Sequence, residues 1–161
     1  MPVVQQGLSR DVCIGLTKFP GSPTLVEAAV GVLMCLSSTN AQVLQLLGKE
    51  GVLEPLSKVL VNYDTPEIIA RTTRVLANVT TIGALQEQAA KMGFLPRLVD
   101  ILNRHSQNAA VVQNVCAAVT NITYNGETFL LLVYGGTVEL TLPIDSRQQA
   151  IGDEREVFAC A

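Results

Sequence analysis

A repeat with a period of 43 residues is the dominant feature of this 161-residue chain, and it limits the folds open to it. Blocks with the same chemical pattern start at residues 25, 68 and 111. Equivalent positions carry similar apolar side chains, as in the triplets Leu33, Leu76, Val119 and Leu36, Val79, Ile122. Self-similarity at a fixed period of roughly 20–50 residues is the signature of repeat architectures, so we expect an array of stacked units.

Each block predicts three α-helices. In the second block, apolar side chains and the methyl of Thr72 recur at helical spacing over 68–79. A shorter helix follows at 84–92, Gly93 interrupts it, and a further helix covers 94–102. The first block repeats this order, with breaks predicted at Gly48 and Gly51. The prediction is an all-α solenoid of the armadillo or HEAT type.

Composition excludes several classes of protein. The net charge of −3 argues against a general nucleic-acid binder. The N-terminal residues lack a signal-peptide pattern, and the longest apolar run, 129–134, is too short for membrane insertion. The four cysteines, Cys13, Cys35, Cys116 and Cys160, lie far apart and predict reduced thiols. We therefore expect a cytoplasmic protein, with a nuclear or ciliary location as the alternatives.

The chain resembles the armadillo family in two motifs, VLANVT at 75–80 and AVTNIT at 118–123. Each motif ends a long third helix, and the first is followed by a short helix, a glycine and a second helix. The resemblance implies a right-handed solenoid of about three repeats, the first and last incomplete. It predicts an armadillo domain over 7–136, with a partial repeat at 7–24 and repeats starting near 25, 68 and 111. Residues 137–161 form a tail outside the repeat.

The resemblance also implies a binding groove. In armadillo proteins the third helices line a concave surface, and an Asn near the end of each contacts the backbone of an extended partner peptide. Neighbouring residues on the same helical stripe complete the groove. The candidate groove residues are Arg71, Arg74, Asn78, Asn114, Asn121 and Cys35. The two arginines favour an acidic or phosphorylated segment, unless they are ordinary solvated positions. The chain has no Trp, which argues against recognition of basic localisation signals.

No set of residues predicts catalysis, a cofactor or a metal. His105, the only histidine, lies in a predicted loop beside Ser106 with no acid marked near it. Cys116 is predicted to be a small core residue, because it aligns with Val30 and Thr73. The Asn-X-Thr patterns at Asn78 and Asn121 match glycosylation acceptors, but the repeat explains both.

The predicted function is therefore a non-catalytic module that binds an extended, acidic segment of a protein partner in the groove. The alternative is a structural scaffold segment, cytoskeletal or ciliary, that docks through its ends or its convex face. Neither end of the array has a clear polar cap, so self-association is also expected. A fragment or alternative product of a longer armadillo protein fits the same features.

Overall fold

The computed structural model describes residues 3–124, with side chains from residue 7 onward. Within that range every regular element is a helix. The helices are α1 (Val3–Lys18), α2 (Pro23–Ser37), α3 (Ala41–Lys49), α4 (Leu53–Asn62), α5 (Pro66–Val79), α6 (Gly83–Lys91), α7 (Phe94–Arg104) and α8 (Ala109–Thr123). The all-α prediction is confirmed. The predicted tail at 137–161 and the end of the predicted domain at 125–136 lie outside the described residues.

The long helices α2, α5 and α8 keep the period of the sequence. They begin at Pro23, Pro66 and Ala109, which are 43 residues apart. Proline suits the first position of a helix, because the N–H that it lacks would have no helical partner there. In α8 that end is capped instead by the Asn108 side chain, which accepts a hydrogen bond from the Val111 N–H at 3.2 Å.

The long helices stack in chain order. Helix α5 packs between α2 and α8, and α1 packs against α2, α3 and α4. Buried Leu, Val and Ile side chains form one hydrophobic cluster that runs through the stacked units, from Cys13 and Leu16 in α1 to Ile122 in α8. Leu33 and Leu76, which hold equivalent positions in α2 and α5, are both fully buried. This is the arrangement that an α-solenoid requires, since a single unit cannot bury its own apolar face.

Glycines separate the short helices from those that follow. Gly51 and Gly93 adopt positive φ angles of 72° and 73°, a conformation that costs free energy for L-residues with a Cβ. The break predicted at Gly48 is wrong, because Gly48 lies inside α3. A Cβ at Gly48 would lie 2.9 Å from Cδ1 of Leu85. Gly48 therefore permits the close approach of Leu85 in α6 and does not end a helix.

Candidate functional site

An open depression of about 160 Å³ lies between α5 and α8. Polar side chains and small residues line it: Arg74, Ala77, Asn78, Thr81, Gln113, Asn114, Ala117 and Asn121. The depression thus brings together four of the candidate groove residues. Arg71 and Cys35, the other two, are not part of its lining.

Helical spacing explains this grouping. Arg74 and Asn78 lie one turn apart on α5, and Ala117 and Asn121 lie one turn apart on α8. Each pair holds the same register positions in its own repeat. Because α5 and α8 pack side by side, the two pairs line the same depression.

Asn121 joins α8 to the end of α5. Its Nδ2 donates a hydrogen bond to the Ala77 carbonyl oxygen at 2.8 Å. That carbonyl belongs to the last turn of α5, where the usual backbone donor is missing, because the Thr81 N–H bonds to the Asn78 carbonyl instead. The Thr80 hydroxyl donates to this carbonyl at 3.2 Å, and the Asn121 amide provides a shorter second hydrogen bond from the next repeat.

Asn78 makes the equivalent connection one repeat earlier, but through hydroxyl groups. Its Nδ2 donates to Oγ of Ser37 at 3.0 Å and to Oγ of Ser38 at 3.4 Å. Both serines donate in turn to the Met34 carbonyl oxygen, at 3.1 and 2.8 Å. Met34 occupies the register position of Ala77 in the preceding unit. The serines thus stand between the asparagine and the carbonyl that Asn121 reaches directly.

Asn114 and Arg71 share a second register position. Asn114 Nδ2 donates to the Ala70 carbonyl oxygen at 2.9 Å, and Arg71 donates to the Glu27 carbonyl oxygen at 3.4 Å. Arg71 also forms an ion pair with the Glu27 carboxylate at 3.2 Å. The Arg71 guanidinium is thus engaged with α2, in keeping with its place outside the depression.

The positive charge of the depression comes from Arg74. The Arg74 side chain is exposed, and it has no ion-pair partner among residues 7–124. Cys35, which holds the register position of Asn78 and Asn121 on α2, is also exposed. The structure therefore gives a narrower candidate site than the stripe predicted from the sequence.

The other chemically notable residues lie elsewhere. His105 caps the end of α7, and its Nε2 lies 2.8 Å from Oδ1 of Asp64. The hydrogen bond from His105, and secondarily the charge of Arg104, lower the pKa of the Asp64 carboxyl. Burial and the nearby Glu50 carboxylate raise the pKa of the Cys13 thiol to about 11, which leaves it protonated and unreactive at neutral pH.

The core position predicted for Cys116 is wrong, because its side chain is exposed. Its equivalents Val30 and Thr73 are buried, since each is covered by the next long helix. Helix α8 packs against the preceding long helix, α5, and no helix follows α8 in the described range.

Sequence reasoning missed Thr81, Gln113 and the two serines that receive the Asn78 amide. Thr81 directly follows the VLANVT motif, so the motif extended by one residue would have included it. Gln113 lies one turn before Ala117 on α8 and next to the candidate Asn114, so helical spacing could have included it. Ser37 and Ser38 carried no comparable signal, because their contact with Asn78 depends on the offset between stacked helices.

Comparison with known families agrees with this architecture. Residues 85–124 match the family model of the Armadillo/beta-catenin-like repeat. The matched segment runs from α6 to the residue after α8, so it covers one three-helix unit and the α8 side of the depression. The resemblance predicted from the two motifs is confirmed. A search of curated proteins found no match.

Proposed function

We propose that this chain, which carries an armadillo repeat, is a non-catalytic protein-interaction module. Repeats of this kind typically mediate protein interactions. The depression between α5 and α8 takes an extended, acidic segment of a partner protein. The observation that carries this proposal is the free Arg74 guanidinium inside that depression.

Arg74 supplies the charge selectivity. A guanidinium offers five N–H donors in a planar fork, which matches carboxylate and phosphate groups. Arg71 is already paired with Glu27, so Arg74 is the arginine of this stripe that remains available to a ligand. A partner segment with Asp, Glu or a phosphorylated residue opposite Arg74 forms an ion pair with that guanidinium.

The asparagines supply contacts that do not depend on the partner's sequence. Asn78 and Asn121 use their amide hydrogens on the preceding repeat, whereas their Oδ1 atoms accept no hydrogen bond from residues 7–124. An amide oxygen in this position accepts a main-chain N–H of an extended segment, whichever side chain that residue bears. The two oxygens lie one repeat apart along the array.

The dimensions of the depression favour such a ligand over a small molecule. Its volume of about 160 Å³ is well below the several hundred Å³ of most small-molecule sites. It also lies open to solvent, with Arg74 and Ala117 exposed. An extended chain that lies across it would place one side chain in the depression and continue along the stacked helices.

A selection from a random peptide library tests this proposal. We expect wild-type protein to enrich peptides rich in Asp and Glu, and Arg74→Glu to lose them. Arg10→Glu is the matched control, because it reverses an exposed charge on α1, away from the depression. Ala117→Leu adds bulk to the depression without a charge change, and it should weaken every selected peptide by about tenfold or more.

Two outcomes would contradict the proposal. If the selected peptides have no excess of Asp and Glu, Arg74 does not determine selectivity. If acidic peptides bind Arg74→Glu as tightly as wild type, their binding site lies elsewhere on the protein. Circular dichroism must first show that each variant has the helical content of wild type.

The second candidate is a structural scaffold that docks through the faces of its outer long helices. It is favoured by the exposure of Cys116, whose equivalents Val30 and Thr73 are buried between repeats. A cytoplasmic location, with nucleus and cilium as alternatives, is part of both candidates.

A further inference from the structure

The long helices stack through two opposite faces. The backward face of a helix lies beside the residues that bond to the preceding unit, as Arg71 and Asn78 of α5 bond to α2. In α5 it consists of Ile68, Thr72, Val75 and Val79. The forward face turns towards the next long helix, and in α5 it consists of Ile69, Thr73, Leu76 and Thr80. All eight side chains are at most 2% exposed, because α5 has a long helix on each side.

Among the described residues, the same register positions in α2 and α8 have a long helix on one side only, although α1 also packs against α2. The forward face of α2 is buried against α5 and comprises Val26, Val30, Leu33 and Ser37. The backward face of α8 is buried against α5 and comprises Val111, Val115, Ala118 and Ile122.

The opposite faces of α2 and α8 are the partly open ones. The backward face of α2 consists of Leu25, Ala29, Val32 and Leu36, none of which is fully buried. The forward face of α8 consists of Val112, Cys116, Val119 and Thr123, of which Cys116 is exposed and the others half-buried. These are the two halves of the contact that α2 makes with α5 and α5 makes with α8.

We propose that a second copy of this chain covers these faces, with α8 of one copy stacked on α2 of the next. The contact continues the interface between repeats, in the same register and with the same residue chemistry. Unlike the peptide site, it does not depend on the depression or on Arg74.

Charge favours this occupant. Helix α8 contains no charged residue, and the one charge in α2, Glu27, is already paired with Arg71. Stacking the two faces therefore buries apolar and small polar side chains without removing an unpaired charge from water.

The geometry is head-to-tail, so the two surfaces in contact are different. A dimer formed in this way still has one free face of each kind. We therefore expect oligomers that grow with protein concentration, and do not stop at a dimer unless a ring closes.

Size-exclusion chromatography with light scattering on the full chain measures this association. Val32→Glu alters the α2 face and Val119→Glu alters the α8 face, at positions that are only half-buried in one copy. Each variant should raise the dissociation constant by at least about tenfold and elute as a monomer where wild type associates.

A mixture of the two variants distinguishes head-to-tail stacking from other contacts. Val32→Glu retains an intact α8 face, and Val119→Glu retains an intact α2 face. The mixture should form a one-to-one heterodimer and nothing larger. A symmetric interface built from one face alone would not be restored by mixing.

Matched controls place the same charge outside both faces. Thr24→Glu and Ala110→Glu each introduce a glutamate in the first turn of the same helices, at the register position where α5 carries the exposed Glu67. Both should associate like wild type, and so should Arg74→Glu, which alters the depression between α5 and α8. All variants must match wild type in helical content and melting temperature.

Three results would overturn the proposal. Wild-type protein that remains a monomer at every concentration would show that a second copy does not bind to the α2 and α8 faces. Association that survives Val32→Glu and Val119→Glu would assign it to another surface. A mixture that remains monomeric, although both variants are folded, would exclude the head-to-tail contact.

Discussion

At the scale of single residues, side-chain amides connect one repeat to the next. Asn114 and Asn121 each donate to a carbonyl oxygen of the preceding long helix. Each such bond joins polar groups of two stacked helices and favours one register between them. The amide hydrogens of Asn121 thus hold the two helices together, while its Oδ1 accepts no hydrogen bond from residues 7–124.

Asn121→Asp tests whether the amide hydrogen bond of Asn121 stabilises the fold. The new carboxylate would face the Ala77 carbonyl at the negative end of α5, where both the lost donor and the added charge are unfavourable. We expect the free energy of unfolding to fall by about 1–3 kcal/mol, measured by urea denaturation. Gln113→Glu makes the same chemical change at an exposed position of α8 and should cost well under half as much. Equal losses in the two variants would contradict the role of the Asn121 amide.

The contact of Asp64 with His105 and Arg104 predicts a dependence of stability on pH. The pKa of Asp64 is lower in the folded protein than in the unfolded chain, mainly through the hydrogen bond from His105. Its contribution is therefore present above the unfolded pKa of about 3.9 and is lost as the pH falls through the folded value. Asp64 is exposed, so the contribution is small.

Asp64→Asn makes this dependence measurable. The difference in unfolding free energy between wild type and variant should be present at pH 5 and shrink as the pH falls towards 3. Asp11→Asn removes an exposed charge on α1 that has no ion-pair partner within residues 7–124, and it controls for net charge. A difference for Asp64→Asn that is constant over this range would show that the contact does not depend on its ionisation.

At the scale of helices, glycines set where the elements end. Gly93 separates α6 from α7 with φ at 73°, and no atom lies within 4 Å of the position that a Cβ would occupy. The sequence pattern predicted this break, because a glycine directly follows a run of good helix formers. The pattern could not show that Gly48, unlike Gly93, lies inside a helix. A small residue is needed at Gly48 because Leu85 of the next repeat packs against it.

Gly93→Ala isolates the cost of that backbone conformation. Because there is space for the methyl group, the substitution should destabilise through φ alone, by about 1 kcal/mol in thermal or urea unfolding. Gly83→Ala is the matched control, since Gly83 opens α6 without a positive φ and also has free space around it. The control should be neutral or slightly stabilising. A neutral Gly93→Ala would mean that the turn can relax to a negative φ.

At the scale of the whole molecule, periodicity predicted most of the fold, because each unit repeats the same local pattern. The order of long and short helices and the positions of Asn78 and Asn121 follow from the sequence. What it could not predict depends on neighbours. Cys116 is exposed because its helix lacks a described neighbour on that side, and Arg71 is engaged because Glu27 faces it across the stack. The register of a residue predicts which side of the helix its side chain lies on, but whether that side chain is buried depends on the neighbouring repeat.

The same dependence on neighbours predicts an uneven stability along the array. Helix α5 contacts long helices on both sides and also packs against α3 and α4, whereas α1 has one long helix beside it, α2, and packs mainly against α2, α3 and α4. In a stacked array, stability is approximately the sum of such nearest-neighbour interfaces. Local opening should therefore be easiest in α1 and hardest in α5.

Amide hydrogen exchange followed by mass spectrometry measures this difference. The experiment is best done on Val32→Glu at low concentration, so that stacking between copies does not protect α1 and α2. We expect amides in α5 to exchange at least about tenfold more slowly than those in α1, with α2 in between. Equal protection of α1 and α5 would show that the described residues open as one cooperative unit, and the nearest-neighbour account would then be wrong for this chain.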